Sequence, residues 1–323
     1  MLSKTLVLPF ARPPQALARD MLSQLALPAL AKLLARARRE EHHEIETFDA
    51  CLPHERWLCG HQTDNSPPIA HALMDALGLP LQSGSWFVLQ PVHLHIARDH
   101  LVLTDYRRLF IDNDEAQSLF EAIRPLFNEQ SLEIVYGNAQ YWFVRADAWS
   151  ALRTCTPDTG CGHNIDVWQP SGHTSRDWRR LHNEVQMVWH QHPLNLARES
   201  RGDLRVNALW MWGMSSSAVF DRGTRLLAES LAHTQPDALT ETDWQLIDTL
   251  TPLALAEDWS AWLAQMQQLE AEQFAPSLAQ LSTGALHELR LVLSDGQRLD
   301  VWSARRTGMR KFWLPPSLSR LAS

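Results

Sequence analysis

The chain has 323 residues, a net charge of -8 and four cysteines. This length can bury a large core and accommodates one or two domains. The acidic charge argues against a general nucleic-acid surface, and no apolar stretch is long enough to predict a membrane span. The N-terminus lacks the apolar region of a signal peptide. With so few cysteines, we expect reduced thiols and a cytoplasmic protein.

Hydrophobic periodicity predicts strands and helices along the whole chain. Helices are predicted at residues 16–39 (interrupted at Pro28), 66–78, 113–127, 175–192, 193–202, 222–232, 242–250 and 258–281. Strands are predicted at 4–10, 86–90, 92–96, 101–104, 132–135, 140–144, 206–212 and 289–293, with edge strands at 299–303 and 310–313. The β-rich stretch from residue 85 to 170 has the size of a small α+β unit.

The stretch 174–217 contains the clearest local signals. A helix ends at His192, because the residue before a proline avoids the α region. A short helix then starts at Pro193 and ends at Gly202. Residues 206–212 are apolar apart from Asn207, and a glycine and three serines follow them. This pattern predicts a buried parallel strand whose carboxyl end is open to a ligand.

Four polar residues of this stretch are candidates for one cluster: His192, Asn195, Arg198 and Asn207. Asn195 and Arg198 are three positions apart and therefore share a helix face. A buried amide such as that of Asn207 costs about 1–3 kcal/mol when unpaired, so it must have partners. The cluster is either a structural network between helix and strand or a pocket for an anion held by the Arg198 fork. From the residues alone we favour the structural network.

The run HPLNLARESRGDLRVNALWMWG (192–213), which follows a helix that carries NEVQM, resembles the RpfE-type family of bacterial regulatory proteins. More distantly, the run is similar to the archaeal-type cofactor-independent phosphoglycerate mutases of the alkaline-phosphatase-like superfamily. That resemblance implies an α/β core with a mostly parallel sheet flanked by helices. It also implies a small inserted α+β domain, which places the core at 1–84 and 171–323 and the insert at 85–170.

Active members of that superfamily, as the resemblance implies, bind two divalent metals, with manganese or zinc expected. They need an aspartate after the first strand, a nucleophile at a helix start and Asp and His ligands near the C-terminus. Here Arg12 follows the first strand, and Ser66 is the candidate nucleophile. Asp295 is a candidate metal ligand, but Gly296 follows it instead of a histidine. We therefore expect no cofactor and a catalytically silent relative, since metal-free serine is a poor nucleophile.

Two Cys-x-His pairs offer a separate metal hypothesis. Cys59 and His61 form the first pair, and Cys161 and His163 form the second. Thiolates and imidazoles are suitable zinc ligands, but this spacing matches no standard zinc motif. The pairs can equally be turns.

The leading functional hypothesis is a non-catalytic regulatory relative of the phosphoglycerate mutases. It would bind a small phosphorylated or carboxylated molecule, or a protein partner, and its regulatory role is what the RpfE-type resemblance implies. The first alternative is an active metal-dependent phosphoglycerate mutase or phosphatase with relocated ligands. The second is a structural interaction protein whose exposed tryptophans contact a partner.

Overall fold

A computed structural model describes residues 2–60, 64–98, 100–234 and 242–322. The chain divides into two compact units. Unit 1 combines Met1–Thr47 with Gln235–Ser323, and unit 2 is the continuous segment Phe48–Thr234. These bounds differ from the insert predicted at 85–170, because the helices and the strand that flank this range pack with it in unit 2. None of the described helices is both long and apolar enough to cross a membrane.

The described residues form strands and helices in a mixed order along the chain. The strands are β1 (Ser3–Leu8), β2 (Arg38–Glu44), β3 (Trp86–Val92), β4 (Leu94–Ala97), β5 (His100–Leu103), β6 (Glu133–Tyr136), β7 (Trp142–Arg145), β8 (Ala208–Ser215), β9 (Thr242–Leu246), β10 (Glu288–Ser294) and β11 (Arg298–Arg305). The α-helices are α1 (Ala18–Ser23), α2 (Pro28–Arg36), α3 (Pro53–Leu58), α4 (Ala70–Ala76), α5 (Asn113–Glu129), α6 (Pro157–Gly160), α7 (Ser175–His190), α8 (Pro193–Arg201), α9 (Arg222–Leu231), α10 (Thr251–Leu255), α11 (Trp259–Leu269) and α12 (Ala275–Thr283).

Unit 1 is built on a five-stranded sheet in the order β2-β11-β10-β1-β9. Strand β1 lies parallel to both β9 and β10, whereas β11 and β2 continue the sheet in antiparallel pairing. Leu6, Val7 and Leu8 of β1 are fully buried, as expected for a parallel strand covered on both faces. The predicted α/β class, with parallel strands in the central sheet, is confirmed.

Helices α2, α11 and α12 belong to unit 1. A π-helical turn, Glu270–Phe274, joins α11 to α12. This turn brings the Glu270 carboxylate to the start of α2, where it accepts hydrogen bonds from the backbone N–H groups of Ala29 (2.5 Å) and Leu30 (3.1 Å). The carboxylate thus satisfies two backbone donors that the helix itself leaves free.

Two local predictions in unit 1 are wrong. Residues 242–250 were predicted helical, but 242–246 form β9, because parallel pairing with β1 overrides a weak local helix preference. Residues 310–313 were predicted as an edge strand, but Gly308–Arg310 is a single 3-10 turn followed by irregular chain.

Unit 2 contains a four-stranded sheet in the order β6-β7-β3-β8 and the separate hairpin β4-β5. The strands described for these two sheets pair in antiparallel fashion, including β8 with β3. The prediction of a parallel strand at 206–212 is therefore wrong. Helices α4 and α7 both pack on β8. They bury most residues of this strand, which explains why it is apolar. An unbroken apolar run indicates that both faces of a strand are buried. It does not indicate whether the strand runs parallel or antiparallel to its neighbour.

The core of unit 2 lies between this sheet and helices α5 and α7, and tryptophans dominate it. The rings of Trp142 and Trp189 meet edge to face at 5.9 Å, and those of Trp149 and Trp178 do so at 5.8 Å. Such pairs add about 0.5–1.5 kcal/mol each beyond the burial of their area. Most tryptophans of this unit thus serve packing, as their spread along the sequence predicts.

Candidate functional site: a cleft at the carboxyl ends of the parallel strands

A cleft of about 390 Å³ lies in unit 1, within the size range of small-molecule sites. Strand β1 ends at Leu8 and β10 ends at Ser294, and since the two strands are parallel, their carboxyl ends meet at one edge of the sheet. Ligands of α/β proteins bind at this edge. The cleft is lined by Phe10, Arg12, Pro14, Gln15, Glu44, Ala254, Glu257, Trp259, Asp295, Gly296, Gln297 and Arg298.

The guanidinium of Arg12 forms the buried floor of the cleft. The Arg12 backbone N–H donates to the carbonyl of Ser294 (3.1 Å), which fixes the loop after β1 against the end of β10. Its side chain donates to the Asp300 carboxylate, and its Nε lies 3.6 Å from Asp295 Oδ2. Burial lowers the pKa of Arg12, and the charge of Asp295 opposes that shift. An arginine nevertheless stays protonated in a protein.

Asp300 joins the floor to the outer strands of the sheet. This residue lies within β11 and its side chain is 0% exposed. Its Oδ1 is 2.8 Å from His42 Nδ1 and 3.5 Å from Arg39 Nη1, both on the neighbouring strand β2. Burial lowers the pKa of His42, and the positive charge of Arg39 lowers it further. The buried carboxylate is therefore held by two guanidinium groups and an imidazole.

Asp295 organises the tight turn between β10 and β11. Its Oδ1 accepts hydrogen bonds from the backbone N–H groups of Gln297 (2.8 Å) and Arg298 (2.7 Å). Its Oδ2 accepts from Arg298 Nε (3.2 Å) and Nη2 (3.1 Å). Both carboxylate oxygens thus have partners within the turn, and Arg298 is held at the surface of the cleft.

Strained backbone occurs at two positions of the lining. Phe10, directly after β1, and Glu257, after α10, have φ values of 54° although neither is glycine. A bulky residue in this region costs about 1–3 kcal/mol, and such residues cluster at ligand sites. The fully buried Trp262 stabilises the first of them, since its Nε1 donates to the Phe10 carbonyl at 2.8 Å.

The floor does not fit the divalent metals that the superfamily resemblance implies. Arg12 provides a cation where a metal-binding aspartate is expected, and Asp295 already accepts hydrogen bonds at both oxygens. A second cation beside the Arg12 guanidinium would be repelled. Within residues 2–60, 64–98, 100–234 and 242–322, no three His, Cys, Asp or Glu side chains are grouped so that they could hold a metal.

The four residues predicted to form a cluster all lie in unit 2. Asn195 is buried, and its Nδ2 donates to the carbonyls of Trp189 (2.9 Å) and Val206 (2.8 Å). Its Oδ1 accepts from the Val206 N–H at 2.9 Å. Asn195 therefore joins α8 to the end of α7 and to the segment that leads into β8.

Arg198 is 1% exposed and binds protein atoms through all three guanidinium nitrogens. Nε donates to the Leu204 carbonyl at 2.8 Å, and Nη2 donates to the Leu109 carbonyl. Nη1 pairs with the Glu115 carboxylate. These contacts are the ones expected if Arg198 belongs to a structural network between helix and strand. Anion binding by the Arg198 guanidinium stays a prediction.

His192 and Asn207 also make local structural contacts. His192 precedes α8, and its Nδ1 accepts the Leu194 N–H at 3.3 Å, which caps the helix. Asn207 pairs with Leu94 as a strand residue would: its Oδ1 accepts the Leu94 N–H (2.7 Å) and its Nδ2 donates to the Leu94 carbonyl (2.8 Å).

Ser66, the candidate nucleophile, is buried and lies four residues before α4. Its hydroxyl accepts the Gly213 N–H at 2.8 Å and lies 2.8 Å from Thr154 Oγ1. The hydroxyl therefore connects two chain segments to β8, and the serine does not start a helix as a metal-assisted nucleophile is expected to.

The four zinc candidates are only partly described. His61 lies outside the described residues. Cys59 and Cys161 are buried free thiols, and burial raises the pKa of both, that of Cys161 to about 12. The ring of His163 lies 6.5 Å from that of Trp168. A protonated thiol is a poor zinc ligand, so the described part of this set does not favour a metal.

Sequence reasoning missed the residues at the centre of the cleft. Arg12 stands where an aspartate is expected after the first strand, and the sequence alone does not indicate a role for its positive charge. Asp300 interrupts an otherwise apolar strand in the segment LDVWS, which is the same signal that identified Asn207. A buried charge within a strand requires a partner of opposite charge.

No family model matches the chain, and no curated protein matches it significantly. Solved structures show a similar fold. The PH0037 protein from Pyrococcus horikoshii has a TM-score of 0.50 at 12% identity, over 94% of this chain and 87% of that chain. A cofactor-independent phosphoglycerate mutase from Thermoplasma acidophilum has a TM-score of 0.42 at 14% identity, over 100% of this chain and 95% of that chain. At such identities the likeness concerns the fold alone, and the RpfE-type resemblance stays a prediction.

Proposed function

We propose that the protein binds a small anionic molecule in the strand-end cleft and does not carry out metal-dependent phosphoryl transfer there. The observation that carries this proposal is the buried guanidinium of Arg12 between Asp295 and Asp300. It supplies fixed positive charge at the strand ends, where the superfamily resemblance calls for metal ions. The protein would then be a relative of the phosphoglycerate mutases that lacks their metal-dependent phosphoryl transfer, with a regulatory role as the RpfE-type resemblance implies.

The floor offers an anion directed hydrogen-bond donors. Three guanidinium groups, those of Arg12, Arg39 and Arg298, face the carboxylates of Asp295 and Asp300. Two further carboxylates, Glu44 and Glu257, line the cleft, so the cleft has no excess positive charge and an anion would be held by a guanidinium fork. Arg12 and Arg298 both line the cleft beside Asp295, but the Arg12 side chain is 0% exposed, whereas that of Arg298 is 17% exposed. Two of the three guanidinium nitrogens of Arg298 bind the Asp295 carboxylate. We assign the ligand's anionic group to Arg298.

Calorimetric titration with 3-phosphoglycerate, a phosphorylated carboxylic acid, tests this assignment. Arg298→Ala is expected to weaken binding about tenfold or more, because a hydrogen bond to a charged group contributes about 1.5–3 kcal/mol. Arg305→Ala is the matched control, since Arg305 lies on the same strand β11, is exposed and pairs with Glu288 outside the cleft. No heat of binding with the wild type, or equal affinity of both variants, would reject the site.

A partner-binding function has one specific observation in its favour. The adjacent rings of Phe312 and Trp313 are 84% and 66% exposed and touch edge to face at 5.4 Å. An exposed aromatic pair is typical of a contact surface. If a second copy of the chain is the partner, sedimentation velocity should show concentration-dependent dimers that Trp313→Ser removes.

A further inference from the structure

A second cleft, of about 270 Å³, lies in unit 2 at the end of β8, and it contains a nucleophile paired with a base. Ser215 is the last residue of β8 and lines this cleft together with Ser216 and Ser217. His71, on helix α4, is buried behind it, and its Nδ1 lies 3.0 Å from Ser215 Oγ. Neither residue belongs to the proposed ligand site of unit 1.

The hydrogen bonds of His71 determine which ring nitrogen carries the proton. His71 Nε2 lies 2.9 Å from the carbonyl oxygen of Gln82, and a carbonyl can only accept. In the neutral imidazole, Nε2 therefore carries the hydrogen, and Nδ1 carries the lone pair that faces Ser215. The single hydroxyl hydrogen of Ser215 has two acceptors within reach, the Ser217 carbonyl at 3.1 Å and His71 Nδ1 at 3.0 Å. Turned towards Nδ1, it gives the arrangement of a serine activated by a histidine base.

The surroundings give little stabilisation to the imidazolium that follows proton transfer. The Gln82 carbonyl fixes the ring, as the third member of a triad does, but it lacks the charge that would stabilise an imidazolium. We therefore expect a reactive serine with slow turnover.

We propose that Ser215 and His71 form a nucleophile–base pair that hydrolyses small carboxylic esters. The apolar lining from Pro68, Val219 and Phe220 and the small volume fit a short acyl chain. Ser215 Oγ bonds to the acyl carbon while the ester C–O bond breaks, and the hydroxyl proton passes through His71 Nδ1 to the leaving alcohol. Water then attacks the acyl carbon and gives a proton to His71 Nδ1. The bond between the acyl carbon and Ser215 Oγ breaks, and His71 returns the proton to Oγ as the acid leaves.

The test uses a small fluorophosphonate, because its adduct is stable even where turnover is slow. Ser215 Oγ would bond to phosphorus as fluoride leaves, and the mass of the intact chain would rise by one adduct. Peptide mapping of the wild-type protein should place this adduct on Ser215. Ser215→Ala should abolish it, and His71→Gln should slow its formation about a hundredfold, the usual effect of losing a general base.

Ser216→Ala is the matched control, since Ser216 lines the same cleft one residue further along the chain. Labelling of this variant should equal that of the wild type. No adduct, or an adduct that maps to Ser216 or Ser217, would overturn the proposal. The mapping needs only the wild-type chain, so it decides the question even if Ser215→Ala fails to fold. The fluorophosphonate labels a residue of unit 2, so the labelling result does not depend on whether 3-phosphoglycerate binds in unit 1.

Discussion

At the scale of single residues, buried charges in this protein are paired within the fold. Arg12 with Asp300 in unit 1 and Arg198 with Glu115 in unit 2 follow the same rule: a guanidinium is taken out of water only where carboxylates or carbonyls replace its hydration. The two differ in their surroundings, because Arg12 lines a cleft, whereas Arg198 binds protein atoms through all its nitrogens.

Replacement of Arg198 should therefore affect stability more than any binding. Arg198→Met is expected to lower the free energy of unfolding by about 3–5 kcal/mol, because it leaves Glu115 and two backbone carbonyls without their buried donor. Urea unfolding measures this change.

Arg201→Ala provides the control for Arg198, because Arg201 pairs with the same Glu115 carboxylate but is 51% exposed. An exposed pair is screened by solvent, so the change should be far smaller. Equal losses in the two variants would contradict the structural role of Arg198.

A buried histidine should make the protein sensitive to acid. Burial lowers the pKa of His182, which stacks on Trp178, from 6.5 to about 4. Between these values the unfolded chain takes up a proton that the folded chain does not. The stability that neutral His182 contributes is therefore complete above pH 6.5 and is lost as the pH drops towards 4, by at most about 1.4 kcal/mol per pH unit. Burial lowers the pKa of His54 to about 3, which adds a second loss of the same sign.

His182→Gln should make the urea midpoint less dependent on pH between 4 and 6.5, and the part due to His54 should remain. His190→Gln, on the exposed end of the same helix α7, should leave it unchanged. A slope in His182→Gln as steep as that of the wild type would show that other groups cause the acid sensitivity.

At the scale of elements, strand β8 shows what local sequence determines. The short helix from Pro193 and its left-handed end at Gly202 (φ 80°) were predicted and are confirmed, and the preceding helix ends at His190, two residues before the predicted His192. These features depend on neighbours in the chain, such as a proline ring or a glycine without Cβ. The antiparallel direction of β8 results from its pairing with β3, which lies more than a hundred residues earlier in the chain. No local sequence pattern predicts this direction.

Helix α9 depends on one glycine for its packing on α3. A Cβ at Gly223 would lie 1.9 Å from the carbonyl oxygen of Leu58, so the two helices could not keep their present distance. Gly223→Ala should destabilise the protein by about 1–3 kcal/mol or more, as overpacking does. Ser230→Ala in the same helix should have almost no effect, and thermal unfolding compares the two. A Gly223→Ala protein as stable as the wild type would contradict this packing.

At the scale of the whole molecule, the chain forms two compact units, of which unit 1 is discontinuous in sequence and unit 2 is continuous. The resemblance predicted an α/β core with an insertion, and hydrophobic periodicity located the strands β1 and β10 of the core. The bounds at 85 and 170 followed from the resemblance and from the change to a β pattern at residue 85. They could not include α3, α7 or β8, because these elements join unit 2 only through long-range contacts.

Unit 2 has its own sheet and hydrophobic core, so the fragment 48–234 should fold alone. We expect far-ultraviolet circular dichroism of mixed α/β type and a single cooperative urea transition. A fragment with no cooperative transition would show that unit 2 depends on unit 1.

The central claim is that the Arg12 guanidinium provides the positive charge at the strand ends that metal ions would otherwise supply. Elemental analysis of the tag-free protein, after equilibration with manganese and zinc and then dialysis, tests this claim most directly. The buried pairs of Arg12 with Asp300 and Asp295 predict far less than one metal per chain. One or two retained metals per chain, lost on substitution of Asp295, would contradict the claim and restore the metal-dependent enzyme as the leading hypothesis.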